Sequence, residues 1–253
     1  MLYERHNYTN KNIDFIISSE IIEYDMVSAG LNICKEFKLL PDEIIKDLEA
    51  LPKKLRVVRL GLLQKNHKDL VKKMNEGFKE ARKRFFEAND LSNDDVISIK
   101  KDAIFVTKRC KEKQFGHLKF EEKNIYTSYY RLDDKEFYFN NKTGIDVKGI
   151  NDDLLTHHKD YMLKFLHRFF YMNETSRSKN IIKYLNEFTY NYKTKQLPSG
   201  YYRELNREST FRTHEEINGQ SIGLMSISDK EFNMIDISYN YFKYLVPMIS
   251  ILL

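Results

Sequence analysis

The chain has 253 residues, and its 42 lysines and arginines against 37 aspartates and glutamates give a formal net charge of +5. Its 42% hydrophobic content, with 17 tyrosines and 17 phenylalanines, argues against intrinsic disorder. Two cysteines, Cys34 and Cys110, exclude a disulfide framework and a cysteine-rich zinc site. We expect neither a signal peptide nor a membrane span, because the start is charged and no apolar run reaches about 20 residues.

The first third of the chain predicts two strands followed by helices. Short β-branched segments at 13–18 and 20–27 are typical of strands, and Ser28-Ala29-Gly30 then breaks the pattern. Pro41 is expected to open a helix, and Pro52 to end it and start a second. A long third helix is expected over 68–89. Its buried stripe would be Leu70, Met74, Phe78, Ala81 and Phe85, and its opposite, solvated face would carry Lys72, Lys79, Arg82 and Lys83.

The spacing of apolar residues then changes to that of strands. The segment 96–106 predicts two strands joined by a tight turn at Lys100-Lys101-Asp102, and further strands are expected at 125–132, 136–140 and 145–149. After Asn151 the helical spacing returns. Helices are expected over 161–172, 180–192 and 231–246, with a polar excursion holding a short hairpin at 194–228. The order predicts an α+β fold with a boundary near residue 150.

Two aspartates stand out in this pattern. Asp25 ends the strand 20–27 and Asp102 lies in the hairpin turn. An uncompensated buried carboxylate costs several kcal/mol, and two of them on neighbouring strands could share divalent ions as in phosphoryl transfer. Mg²⁺ prefers such hard oxygen ligands. The competing interpretation of Asp102 is an ordinary turn residue, since Asp tolerates turn geometry.

The sequences around both aspartates resemble motifs of family B DNA polymerases. EYDMVSAGLNI is similar to motif A, with Asp25, Ser28 and Ile33 in matching places. VISIKKDAIFV is similar to motif C, with Asp102 at its second aspartate and Lys100-Lys101 replacing the Asp-Thr pair. The segment after motif C resembles the strands that follow the polymerase palm, so the resemblance covers about residues 20–150.

The resemblance implies a palm-like antiparallel sheet backed by helices and a two-metal site. Asp25 and Asp102 would be the catalytic ligands of Mg²⁺ or Mn²⁺, with the Met26 carbonyl as a backbone ligand. Gly30 replaces a bulky tyrosine that excludes the ribose 2′-hydroxyl, so we expect empty space there and tolerance of ribonucleotides. Residues expected to hold the incoming nucleotide are Ser28, Gly30, Lys53, Arg56 and Arg59, with Lys54 a weaker candidate.

The resemblance also implies a domain plan and a nucleic-acid surface. Residues 1–150 would form the palm-like domain, with a short fingers insertion at about 34–75, and residues 151–253 a helical, thumb-like domain. Residues expected to contact primer-template phosphates are Lys135, Lys148, Lys164 and Arg168. Ordinary solvated lysines are the alternative. The aromatic residues expected to pack in the core rather than stack on bases are Tyr129, Tyr130, Phe137, Tyr138 and Phe139.

Three functions stay open at this point. The first is a template-directed nucleotidyltransferase, a DNA polymerase or primase-like enzyme, acting on primer-template and nucleoside triphosphates. The second is an inactive palm that binds nucleic acid or assembles with other replication or virion proteins of a phage, which the two lysines at the turn favour. The third is an unrelated α+β interaction protein. A phage or mobile-element origin would place the protein in the host cytoplasm.

Overall fold

A computed structural model describes residues 1–132, 135–140, 142, 144–148, 159–175, 178–194 and 196. Within these residues the fold is α+β, as expected, and every strand pairing is antiparallel. The strands are β1 (Asn7–Thr9), β2 (Phe15–Ile16), β3 (Ile21–Met26), β4 (Val96–Lys100), β5 (Ala103–Val106), β6 (Gln114–Phe115), β7 (Leu118–Tyr126), β8 (Ser128–Leu132), β9 (Lys135–Asn140) and β10 (Gly144–Lys148). The helices are α1 (Ala29–Glu36), α2 (Asp42–Ala50), α3 (Lys53–Asn66), α4 (Lys68–Ala88), α5 (Lys159–Thr175) and α6 (Ser178–Lys193).

The chain divides into two compact units. The first comprises residues 1–13 and 19–126, and the second comprises 14–18 and the described residues from 127 onward. The predicted palm-like and thumb-like domains, with a boundary near 150 and a fingers insertion, concern a different division and stay a prediction.

The first unit is a six-stranded sheet in the order β1-β4-β5-β3-β7-β6, backed by helices. Alternate residues of β3, such as Ile22 and Tyr24, face the helices and join the core, as the two-residue period of a strand requires. The predicted apolar stripe of α4 is confirmed, because all five of its residues are buried in this core. The sheet therefore presents one face to α4 and holds β3 near its centre.

The second unit is a four-stranded sheet, β10-β9-β8-β2, followed in the chain by α5 and α6. The expectation that its aromatic residues pack in the core is confirmed: those of β8 and β9 are between 0% and 2% exposed. Phe15 of β2 and Phe139 of β9 both stack against Phe170 of α5, with ring centroids 6.0 and 5.2 Å apart. The interior of this unit is thus built mainly from aromatic rings.

Most predicted elements are present, with three corrections. The break expected at Ser28-Ala29-Gly30 is the start of α1, and Ser28 precedes it with a left-handed φ of 44°. The single strand predicted over 125–132 is two strands, because the chain leaves the first sheet after Tyr126 and enters the second at Ser128. Most of β7 was not predicted. The predicted helix 231–246 and almost all of the excursion 194–228 lie outside the described residues.

Helix α4 packs so closely on α1 that we expect Gly77→Ala to destabilise the protein. A Cβ at Gly77 would lie 2.7 Å from Ile33 Cγ2 and 3.0 Å from Phe37 Cδ2. The cost of this overpacking, about 1–3 kcal/mol, exceeds the stability that alanine usually adds to a helix in place of glycine. The matched control is Gly61→Ala in α3, where nothing lies within 4 Å and a gain of up to about 1 kcal/mol is expected. Urea unfolding measures both, and equal stabilisation of the two variants would contradict this packing.

Candidate functional site

One pocket of the first unit brings together most of the residues that the polymerase resemblance implicates. It is a cavity of about 330 Å³ between the end of β3, the start of α1, the helix α3 and the β4–β5 turn. The predicted site residues that line it are Asp25, Met26, Ser28, Gly30, Lys53, Arg56 and Asp102. Arg59 is exposed on α3 and is not among the residues that line the pocket.

Strand pairing brings the two aspartates to the same edge of the pocket. Asp25 lies opposite Ala103 in the antiparallel pair of β3 and β5. The Met26 N–H donates to the Asp102 carbonyl at 3.1 Å, which fixes the turn against the end of β3. Asp25 and Asp102, which are 77 positions apart in the chain, therefore lie on neighbouring backbone segments, because β5 pairs with β3.

The two carboxylates differ in their surroundings. Burial raises the pKa of the Asp102 carboxyl above its usual range, and the negative charge of Asp25 adds to this effect. The Asp25 carboxylate accepts a hydrogen bond from Lys123 Nζ of β7 at 2.9 Å. Sequence reasoning missed Lys123, which reaches Asp25 because β7 pairs with β3 on the side away from β5.

The site is a partial match to a divalent metal site. Asp25 and Asp102 supply hard carboxylate oxygens, the donors that Mg²⁺ and Mn²⁺ prefer. No group of three or more His, Cys, Asp or Glu side chains is placed to hold a metal in the described parts of the chain. Because Lys123 engages one carboxylate, metal binding would require this lysine to move away. The Met26 carbonyl remains a predicted ligand.

A buried arginine supports the turn that carries Asp102. Arg82 of α4 is fully buried, and its Nε and Nη1 donate to the carbonyls of Tyr3 and Lys101, both at 2.8 Å. The Lys101 N–H in turn donates to the His6 carbonyl at 2.7 Å. Lys101 has a left-handed φ of 58°, a conformation that these hydrogen bonds hold in place.

The prediction that Arg82 lies on a solvated face was wrong. Its guanidinium is buried, and burial lowers its pKa to about 10. A signal was present in the sequence, because Arg82 follows Phe78 by four residues and adjoins Ala81, both in the buried stripe. The spacing of residues along the helix could not show that two backbone carbonyls distant in the sequence accept hydrogen bonds from the Arg82 side chain.

The two cationic side chains of the pocket wall, Arg56 and Lys53, differ in how firmly they are held. Arg56 donates from Nε to the Leu48 carbonyl at 3.0 Å and from Nη2 to the Leu51 carbonyl at 3.1 Å, so it caps the end of α2. Its Nη1 also donates to Ser28 Oγ at 3.3 Å. Lys53 is exposed at the start of α3. Arg56 therefore holds the pocket wall together, whereas Lys53 can turn toward a ligand.

The expectation of empty space beside Gly30 was wrong. A Cβ at this position would lie 2.6 Å from Leu60 Cδ2 and 3.5 Å from Met74 Cε. The end of an aliphatic side chain thus occupies the place that the missing side chain of Gly30 would fill.

The residues expected to contact nucleic acid lie in the second unit. Lys135 is in β9, Lys148 ends β10, and Lys164 and Arg168 are in α5. The Arg168 side chain is exposed, and its guanidinium lies 5.1 Å from the centre of the Tyr184 ring. Their contact with nucleic acid stays a prediction.

The chain matches, over residues 1–253, the family model described as bacteriophage PBS1 gene 130 protein. It therefore belongs to this family of phage proteins. The search of curated proteins gave no match. Among the described helices α1–α6, none combines the length and the apolar composition that a membrane span requires.

Replacing Arg82 is expected to cost about 2–4 kcal/mol of unfolding free energy. Arg82→Met leaves the carbonyls of Tyr3 and Lys101 without their charged donor, and each such hydrogen bond contributes about 1.5–3 kcal/mol. The variant also removes the cost of burying the guanidinium charge, which reduces the net loss. Arg82→Lys should rescue little, because one ammonium cannot reproduce the fork. Guanidinium unfolding measures the loss, with Lys72→Met on the exposed face of α4 as control. A change below about 0.5 kcal/mol would contradict this role.

Proposed function

We propose that this phage protein is a template-directed nucleotidyltransferase, a DNA polymerase or primase-like enzyme that uses a two-metal site. The observation that carries the proposal is the pocket in which Asp25 and Asp102 face a wall holding Lys53 and Arg56. Paired carboxylates opposite cations suit a substrate that carries both a metal and phosphates. The resemblance of the two aspartate segments to polymerase motifs supports the same assignment.

In this proposal each part of the pocket has a distinct task. Asp25 and Asp102 would hold Mg²⁺ or Mn²⁺ at the edge of the sheet, after Lys123 releases Asp25. When bound there, the ions would supply charge stabilisation for an attacking 3′-hydroxyl and for the leaving pyrophosphate. Lys53 would contact the triphosphate, and Arg56 would keep Ser28 and the end of α2 in position. Catalysis would consist mainly of positioning and electrostatic stabilisation.

The remaining parts follow from the same resemblance. Residues 1–150 would supply the palm, with a short fingers segment at about 34–75, and residues 151–253 the thumb. Lys135, Lys148, Lys164 and Arg168 would contact the phosphates of primer and template. Such contacts weaken steeply as salt rises, because counterions are released on binding. The protein would act in the host cytoplasm, with other replication proteins of the phage.

A second candidate is a palm without catalysis that binds nucleic acid or assembles with phage proteins. The ion pair of Lys123 with Asp25 favours it, because an ammonium stands at a carboxylate that a metal would need. Lys101 also lines the pocket. In this case the pocket would bind phosphate groups but transfer none.

The two candidates are separated by removing each carboxylate in turn. Primer extension with Mg²⁺ or Mn²⁺ is expected for the wild type and should fall at least about a thousandfold in Asp25→Asn and Asp102→Asn, because each would lose a metal ligand. Mn²⁺ should raise the melting temperature of the wild type and of the control, but not that of the two aspartate variants. Asp47→Asn, at an exposed position of α2, is the control.

Extension that survives both aspartate substitutions would overturn the two-metal assignment. If extension is absent and phosphate or nucleic-acid binding is retained, the second candidate is correct.

Ribonucleotides are expected to be accepted, within about a hundredfold of the corresponding deoxynucleotides. The reason is that the aliphatic end of Leu60, and not an aromatic ring on residue 30, lies at this position. Incorporation of ATP and dATP by the full chain measures the ratio. Leu60→Phe should lower ribonucleotide use, and Leu62→Phe, at an exposed position of the same helix, should not. Much stronger rejection of ATP by the wild type would contradict this expectation.

A further inference from the structure

The outer side of α3 carries a stripe of exposed aliphatic side chains. Leu55, Val58 and Leu62 are 56%, 60% and 49% exposed. Their spacing of three and four residues puts them on one side of the helix, opposite Leu60, which is buried in the core of the first unit. Single exposed aliphatic residues are normal on a protein surface, but three in line along one helix face mark an interaction surface.

Cations border this stripe on both sides. At about 100° per residue, Lys54 and Lys65 lie along one border of the stripe and Arg59 along the other. All three side chains are exposed, and none of them forms an ion pair within the described part of the chain. The sequence of α3 contains five basic residues and no acidic one. The stripe is therefore apolar along its centre and positively charged along its edges.

We propose that this surface, formed by Leu55, Val58, Leu62, Lys54, Arg59 and Lys65 and called the α3 face, binds an acidic amphipathic helix of a partner protein. Aliphatic residues spaced by three and four fit the matching stripe of a second helix. The cationic borders select a helix whose own stripe is flanked by Asp and Glu. The pocket is lined from the other side of α3, so this inference does not depend on the proposed nucleotidyltransferase activity.

The composition of α3 favours a protein helix over other anionic partners. Single-stranded nucleic acid would need aromatic side chains for stacking, and α3 contains none. A helix that lies in a membrane interface separates its apolar and charged residues onto opposite faces. Helix α3 lacks this separation, because Val57 is exposed on a different side from the stripe and basic residues lie around most of the helix. Aliphatic contact combined with flanking charge is the chemistry of helix pairing.

The test measures binding of two synthetic helices to the full chain. Each peptide has about 20 residues with leucines along one face, bordered by glutamate in the first peptide and by lysine in the second. Fluorescence anisotropy should show binding of the glutamate peptide only. The triple variant Leu55→Ser/Val58→Ser/Leu62→Ser should weaken it at least about tenfold. Ile182→Ser, at a residue 48% exposed on α6, is the matched control and should leave binding unchanged.

A charge-reversal variant tests the borders separately and keeps the test valid if the stripe variant fails to fold. Lys54→Glu/Arg59→Glu/Lys65→Glu should lose the glutamate peptide and gain the lysine peptide. Equal binding of both peptides by the wild type, or unchanged binding by both variants, would overturn the proposal.

Other occupants of the α3 face are also outcomes of this experiment. The same variants are tested against phosphatidylglycerol vesicles, oligothymidylate and self-association in sedimentation. Tighter binding of vesicles or oligothymidylate than of the glutamate peptide, lost in the stripe variant, would overturn the proposal. Self-association abolished by that variant would assign the face to a second copy of the chain and overturn it as well.

Discussion

The geometry of the pocket depends on one buried cation. The Arg82 guanidinium has no carboxylate within ion-pair distance in the described part of the chain, and it donates to the carbonyls of Tyr3 and Lys101 instead. A buried charge is costly, so the hydrogen bonds to oriented carbonyl dipoles, together with the negative charge of Asp102, must offset its desolvation. The arrangement joins the start of the chain, α4 and the β4–β5 turn. It therefore fixes Asp102 through the backbone and leaves its carboxylate available to the pocket.

Charge explains which ligands such a pocket can hold. Its two carboxylates face Lys53, Arg56 and Lys101, and Lys123 already pairs with Asp25. The pocket thus has an excess of positive charge, which suits phosphate groups with or without a divalent ion. Anion binding is consequently a property that the enzymatic and the non-catalytic candidate share.

The periodicity of apolar residues predicted most helices and strands of this fold. The features that it missed depend on contacts between residues far apart in the sequence. The apolar stripe of α4 and the hairpin turn that contains Asp102 followed from spacing and turn chemistry alone. The start of α1 was missed because Ser28-Ala29-Gly30 has the composition of a break, and Leu60 and Met74 close on Gly30 only in the folded chain. Lys123 was missed for a similar reason. Its proximity to Asp25 follows from the pairing of β7 with β3, which no local pattern specifies.

The choice between catalysis and binding depends on how firmly the lysines hold their places. Lys100, at the end of β4, donates to Thr9 Oγ1 at 3.0 Å, and the Lys101 ammonium lies 5.5 Å from the centre of the Phe78 ring. Both lysines that replace the acidic pair of the polymerase motif are thus engaged by other groups of the first unit. Lys123 is 52% exposed, and a pair so open to solvent contributes on the order of 1 kcal/mol. Its Nζ also lies 3.6 Å from Glu23 Oε1, so it keeps a carboxylate partner when it leaves Asp25. A divalent ion held by two carboxylates can offset the loss of this ion pair. The Lys123–Asp25 pair is therefore compatible with an active site in which metal binding displaces Lys123 from Asp25.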